Sequence, residues 1–125
     1  VPEADDREQA LAVDVRVVPE AVVVTAAGDL DVATAPVLRH RVHAALEGRP
    51  NGVIADLDGI GFCGSAGLQV IAEVVTATMV RDIPFAVVTQ QYPILRALQI
   101  TQLDGTLALH PTVARARSWI REQTG

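Results

Sequence analysis

The sequence predicts an α/β fold: one domain on a mixed sheet of about five strands, opening with an antiparallel hairpin and otherwise parallel, with about four helices. Three observations carry this. Leu11 to Val17 alternates strictly between apolar and polar side chains, the period of a half-buried strand. After Ser65, the apolar residues Leu68, Ile71, Ala72, Val75 and Met79 return at helical spacing. Elsewhere short apolar runs alternate with helical ones and are separated by Gly, Pro and Asn, as in strands joined through helices.

Taken in order, residues 1–10 (VPEADDREQA) are acidic and lack a large apolar side chain after Val1, so a flexible tail is expected there and the domain is expected to span 11–125. The first strand places Leu11, Val13, Val15 and Val17 on one face and Ala12, Asp14 and Arg16 on the other. Pro19 and Glu20 break it, and Ala21 to Ala27 returns as the second strand of a hairpin. The segment GDLDVATAP, Gly28 to Pro36, then combines a glycine break with a helix start, Thr34 as N-cap and Pro36 in the first turn. The helix ends near Gly48, with Leu38, Val42, Ala45 and Leu46 as its apolar stripe.

Pro50 and Asn51 precede a third strand, Val53 to Leu57, which is expected to run through a glycine-rich turn into the helix from Ser65 to about Met79. Beside its core stripe this helix carries a second apolar row, Val70, Val74 and Ala77, read either as ordinary packing or as a partner-binding face. Pro84 introduces a fourth strand, Phe85 to Thr89, and a short helix follows Tyr92 and Pro93 with Ile94, Leu95 and Leu98 inward. Gly105 closes that segment, Leu107 to Leu109 form a fifth strand, and Thr112 caps a last helix with Val113, Ala116 and Ile120 inward and Trp119 over the core's edge. Helix-joined strands run parallel, so only the hairpin is antiparallel.

Composition narrows the chemistry. Of 125 residues, half are hydrophobic, enough for one real core, and the formal charge of −5 leaves no broad basic surface for nucleic acid or an anionic membrane. All ten basic residues are arginine, which removes a P-loop lysine, a Schiff-base lysine and a Ser–Lys pair. The single cysteine, Cys63, cannot form an internal disulfide, and a cytoplasmic location is expected.

Gly59, Gly61 and Gly64 match the spacing of a dinucleotide-binding loop, but Asp56 and Asp58 set negative charge where phosphates would lie, and no acidic residue follows the next strand to hold a ribose. Glycines serving a tight turn and a close helix–sheet approach account for the same spacing. CGSAG fails as a nucleophile elbow because Cys63 stands two residues before Ser65, where glycine is required. Cys63 itself reads as a small buried space-filler. His40 and His43 lack a third metal ligand nearby, so no metal site is expected. Ser65 sits at a strand's carboxyl end and a helix's amino end, a location suited to an anion such as a phosphate; serine there is also a common plain helix cap.

Together, GDLDVATAP and LDGIGFCGSAGLQVI resemble the two signature regions of the STAS family, the sulfate-transporter and anti-sigma-factor-antagonist domain, and the resemblance covers residues 11 to 123. It implies that Ser65 is the serine presented to a partner serine kinase, followed by Gly67 and Leu68, and that Asp31 and Thr34 belong to a loop lying close to it. Asp29 stands where the family usually has Glu, and Gly64 where it usually has Asp. The implied function is that of an anti-sigma factor antagonist, not an enzyme: it binds an anti-sigma factor serine kinase, is switched off by phosphorylation of Ser65, and is reset by a phosphatase acting on phospho-Ser65, with ATP and Mg²⁺ belonging to the kinase and no cofactor expected in this chain. The expected partner-binding set is Asp29, Asp31, Thr34, Gly64, Ser65, Ala66, Gly67 and Leu68, joined by Val70 and Val74 of the second row. A non-phosphorylated STAS scaffold or an anion transporter's cytosolic module is the alternative within the fold. A small nucleotide-binding or hydrolytic enzyme is a third reading, opposed by the missing lysine and the failed elbow.

Overall fold

The computed structural model describes residues 10–124; the expected acidic tail lies almost wholly outside them. Strands β1 (Leu11–Val18) and β2 (Ala21–Leu30) form the antiparallel hairpin, paired from Leu11↔Gly28 to Val18↔Ala21. Helix α1 (Ala35–Glu47) leads to β3 (Val53–Cys63), helix α2 (Ser65–Val80) to β4 (Phe85–Val88), and helix α3 (Tyr92–Ile100) with a 3-10 turn (Leu103–Gly105) to β5 (Ala108–His110). Helix α4 (Val113–Thr124) closes the domain. The five strands lie in the order β1-β2-β3-β4-β5, and all pairs after the hairpin are parallel.

This order decides where the helices go. Each parallel connection advances one strand in the same direction, and crossovers share one hand, so α1, α2 and α3 fall on the same face. There Leu38, Val42, Val70, Val74, Ile94 and Leu98 pack on the β-strand residues Val24, Ala55, Leu57 and Val87 in the larger core. Among the described residues the opposite face is covered by α4 alone, through Ala116 and Ile120 against Val23, Ile54, Ala86 and Val88. Thr112 Oγ1 accepts the Arg115 amide at 3.2 Å, the expected cap of α4, and half-buried Trp119 packs at the margin of this smaller core. Because the strand order never reverses, the sheet has no switch-point crevice in which a dinucleotide would sit.

Two segments differ from the sequence expectation. Gly28 is a bend inside β2 rather than its end: it takes φ 122°, and the strand continues to Leu30. The stretch Asp58 to Cys63 is strand rather than turn. It pairs with β2 through two register shifts, where Thr25↔Asp56 is followed by Ala27↔Gly59 and Gly28↔Ile60 by Asp29↔Phe62. Each shift inserts one extra residue into β3, so Leu57, Ile60 and Cys63, spaced by three, all reach the helix-covered face. Gly59 permits the close pairing: a Cβ there would stand 2.8 Å from Ala27 Cβ.

Candidate functional site at the carboxyl ends of β2 and β3

The two sequence motifs meet at the carboxyl ends of adjacent parallel strands. The Gly64 amide donates to the Leu30 carbonyl at 2.9 Å, which extends the β2–β3 ladder past its last pair and sets the loop after β2 beside the start of α2.

The loop after β2 is built by Asp31 and Thr34. Asp31 Oδ1 accepts the amides of Ala33 at 3.0 Å and Thr34 at 3.1 Å, and its carbonyl accepts the Ala35 amide at 2.8 Å. Thr34 occupies the N-cap position of α1 as expected, but its side chain does not cap the helix. Its hydroxyl is fully buried, donates to the Asp29 carbonyl at 2.7 Å and accepts the Asp31 amide at 2.9 Å. Thr34 thus fixes the loop from beneath, and Asp31 accepts the amides of Ala33, Thr34 and Ala35 at the entry to α1.

At the facing turn, Gly64 is the N-cap of α2 and Ser65 its first helical residue, with no side-chain capping bond. The plain-cap reading of Ser65 therefore gives way: its side chain is exposed and unused by the helix it begins. The Gly64 carbonyl accepts the amides of Gly67 at 3.1 Å and Leu68 at 3.2 Å, leaving the amides of Ser65 and Ala66 at the open end of the helix. A Cβ on Gly64 would stand 3.3 Å from Phe62 Cε2, so a side chain there requires the Phe62 ring to shift slightly. Gly67 is buried against Leu30 and Cys63. Burial pushes the Cys63 thiol up to about 11, leaving it protonated and filling space.

Of the expected partner-binding residues, the structure brings Asp29, Asp31 and the Gly64–Ser65–Ala66 turn together at one surface, with Leu68 half-buried at its margin. Val70 and Val74 do not belong to it. They are 1% and 2% exposed and lie in the core between α2, α1 and the sheet, so the second apolar row is packing and not an outer face. Gly67, too, is interior, and Thr34 acts from below the surface. Conversely Met79, expected inside, is 72% exposed near the end of α2.

The apolar side chains that do face solvent here were missed. Val32 at the loop tip is 81% exposed and Phe62, re-aimed by the second register shift, is 53% exposed beside Gly64. A signal existed in each case: a large apolar valine between Asp31 and Thr34 in a turn, and a phenylalanine between two glycine-containing pairs. Asp58, by contrast, is structural, since Oδ1 accepts the Gln90 amide at 2.7 Å and ties the loop after β4 to β3. Among the described residues no cluster of three metal-ligating side chains occurs, and no helix is long and apolar enough to cross a membrane.

A family model described as STAS domain matches residues 12–116. The anti-sigma-F factor antagonist RsfB of Mycobacterium tuberculosis is 26% identical over 99 residues, covering 79% of this chain and 80% of that one. The crystal structure of an anti-sigma factor antagonist from Mycobacterium paratuberculosis superposes with a TM-score of 0.79 at 28% identity, over 89% of this chain and 94% of that one. The Bacillus cell fate determinant SpoIIAA, in its phosphorylated form, shares the fold with a TM-score of 0.70 at 18% identity, over 88% of this chain and 100% of that one.

Proposed function

This chain belongs to the STAS domain family, and on that premise we propose that it is an anti-sigma factor antagonist whose contact with an anti-sigma factor serine kinase is broken by phosphorylation of Ser65. The observation that carries the reading is the state of Ser65: exposed, at the first position of α2, making no capping bond, between small neighbours that leave its hydroxyl open to approach. The likeness to antagonists from two mycobacteria supports the same role.

The surface suits a reversible protein contact. Val32 and Phe62 supply an apolar centre, and Asp29 and Asp31 a charged rim, on a frame that Thr34 and the Gly64–Leu30 hydrogen bond hold in place. Phosphorylation adds a charge of about −1.5 to −2 in the middle of this patch. Within the chain, the free amides at the start of α2 accommodate the dianion, so the fold persists. Across the interface it has to be desolvated against apolar side chains or brought near the carboxylates of Asp29 and Asp31, and the complex separates. ATP and Mg²⁺ belong to the kinase, and a phosphatase acting on phospho-Ser65 restores binding.

The test is to incubate the chain with its co-purifying kinase, ATP and Mg²⁺, map the phosphate by mass spectrometry and measure the complex before and after. Phosphate on Ser65 with release of the partner is the expected outcome. A stable complex that never acquires phosphate supports instead the non-phosphorylated scaffold of the same fold.

A further inference from the structure

We infer that the open edge of β1 is a pairing surface for a second copy of this chain, which adds its own β1 antiparallel about a two-fold axis at Val15. Among the described residues β1 ends the sheet, eight residues long, whereas the other edge, β5, has three. The two-residue turn at Pro19 and Glu20 closes on the pair Val18↔Ala21, which is a hydrogen-bonded pair in hairpins of this kind. Alternation along the ladder then commits Ala12, Asp14, Arg16 and Val18 to β2 and leaves the amides and carbonyls of Leu11, Val13, Val15 and Val17 pointing off the edge. A side chain confirms the direction: Arg41 Nη1 of α1 reaches the Val13 carbonyl at 3.4 Å.

The edge is complementary to itself in one register. With Val15 opposite its own copy, Val13 faces Val17, so outward-pointing backbone groups meet each other, and Asp14 faces Arg16 twice over. Asp14 and Arg16 are both exposed, and neither forms an ion pair among the described residues. The same register sets Val17, 79% exposed at the strand's end, against the partner's half-buried Val13. Shifting the register by two residues loses the double Asp14–Arg16 match, which selects this pairing from its neighbours. Arg41 occupies the Val13 carbonyl that the partner's Val17 amide would take, and so competes with pairing.

The two-fold relation continues the sheet from one copy into the other. Leu11 lies at the Ser65 end of the sheet, since it pairs with Gly28, and antiparallel pairing therefore sends the two Ser65 surfaces to opposite ends of the joint sheet. Each copy keeps its Ser65 surface free.

Sedimentation of the full chain from micromolar to near-millimolar concentration tests the inference, and a concentration-dependent monomer–dimer equilibrium is expected. Asp14→Arg and Arg16→Asp, each placing like charges opposite one another twice, should weaken the dimer roughly tenfold, and an equimolar mixture of these two variants should recover it as a heterodimer. Arg41→Ala should tighten it. Val15→Pro removes an amide that the hairpin does not use, and should give a folded monomer by circular dichroism. A chain that stays monomeric at every concentration, or a dimer indifferent to both charge reversals, overturns the proposal even if Val15→Pro fails to fold.

Discussion

A Cβ placed on Gly67 would stand 2.6 Å from Cγ of Leu30, itself fully buried, so the first turn of α2 rests directly on the end of β2. That contact ties the height of Ser65 above the sheet to the absence of a side chain two residues later. Gly67→Ala overpacks the junction and is expected to lower stability by about 1–3 kcal/mol in urea unfolding, although alanine favours the helix itself. Leu30→Ala in the same chain should make the two losses less than additive, because it vacates the colliding atoms. Additive losses would show that Gly67 and Leu30 do not share the space.

The buried hydroxyl of Thr34 gives a second expectation. Thr34→Val keeps the shape but removes the donor to the Asp29 carbonyl and the acceptor for the Asp31 amide, at a cost of about 1–3 kcal/mol. Hydrogen exchange at Asp31 should quicken more than exchange in β4, because the loop loosens before the core does. Equal acceleration throughout would mean the bond supports the whole domain rather than the loop.

Much of this was legible in the sequence. The alternation in LAVDVRV, the helical period after Ser65 and the Thr112 cap each rest on one local rule, and each element stands where that rule sets it. Asp58 to Cys63 was not legible, because two inserted residues turn the strand's period of two into the spacing of three at Leu57, Ile60 and Cys63, and glycines in such a pattern read as a turn. The error about Val70 and Val74 has a different cause: α2 touches both α1 and the sheet, so its buried stripe is wider than one contact demands, and only packing shows which side stays in water.

With Val70 and Val74 buried, the apolar part of the contact surface falls to Val32 and Phe62. Val32→Asp and Phe62→Ala should each leave the unfolding midpoint nearly unchanged and weaken kinase binding by about tenfold or more. Val74→Glu should unfold the domain instead of acting on the partner alone, since it buries a carboxylate in the core. Calorimetric unfolding alongside titration separates these outcomes; unaltered affinity in both surface variants places the contact elsewhere.

At the far end of the sheet, Glu20 in the hairpin turn is bonded by Arg117 of α4, with Arg121 at 3.8 Å. The hydrogen bond from Arg117 and the two positive charges hold its carboxyl below the ordinary 4.5. A depressed carboxylate stabilises the fold above its unfolded value and loses that contribution as pH falls through the folded one. The difference in melting temperature between the native chain and Glu20→Gln should therefore be largest near neutrality and shrink as pH falls below the ordinary carboxylate value of 4.5. A difference that is constant across this acid range removes the ionised pair as its cause.

The most direct test of the switch is the affinity of one kinase preparation for unmodified, Ser65-phosphorylated and Ser65→Ala protein, measured side by side by titration calorimetry with the phosphate position verified by mass spectrometry. The expected result is a single phosphate on Ser65, an affinity lowered roughly a hundredfold by a penalty of about 3 kcal/mol, and undiminished binding by Ser65→Ala in the presence of ATP. Phosphate on Thr34 or Thr89 in place of Ser65, or phospho-Ser65 protein that binds as tightly as the unmodified chain, contradicts it.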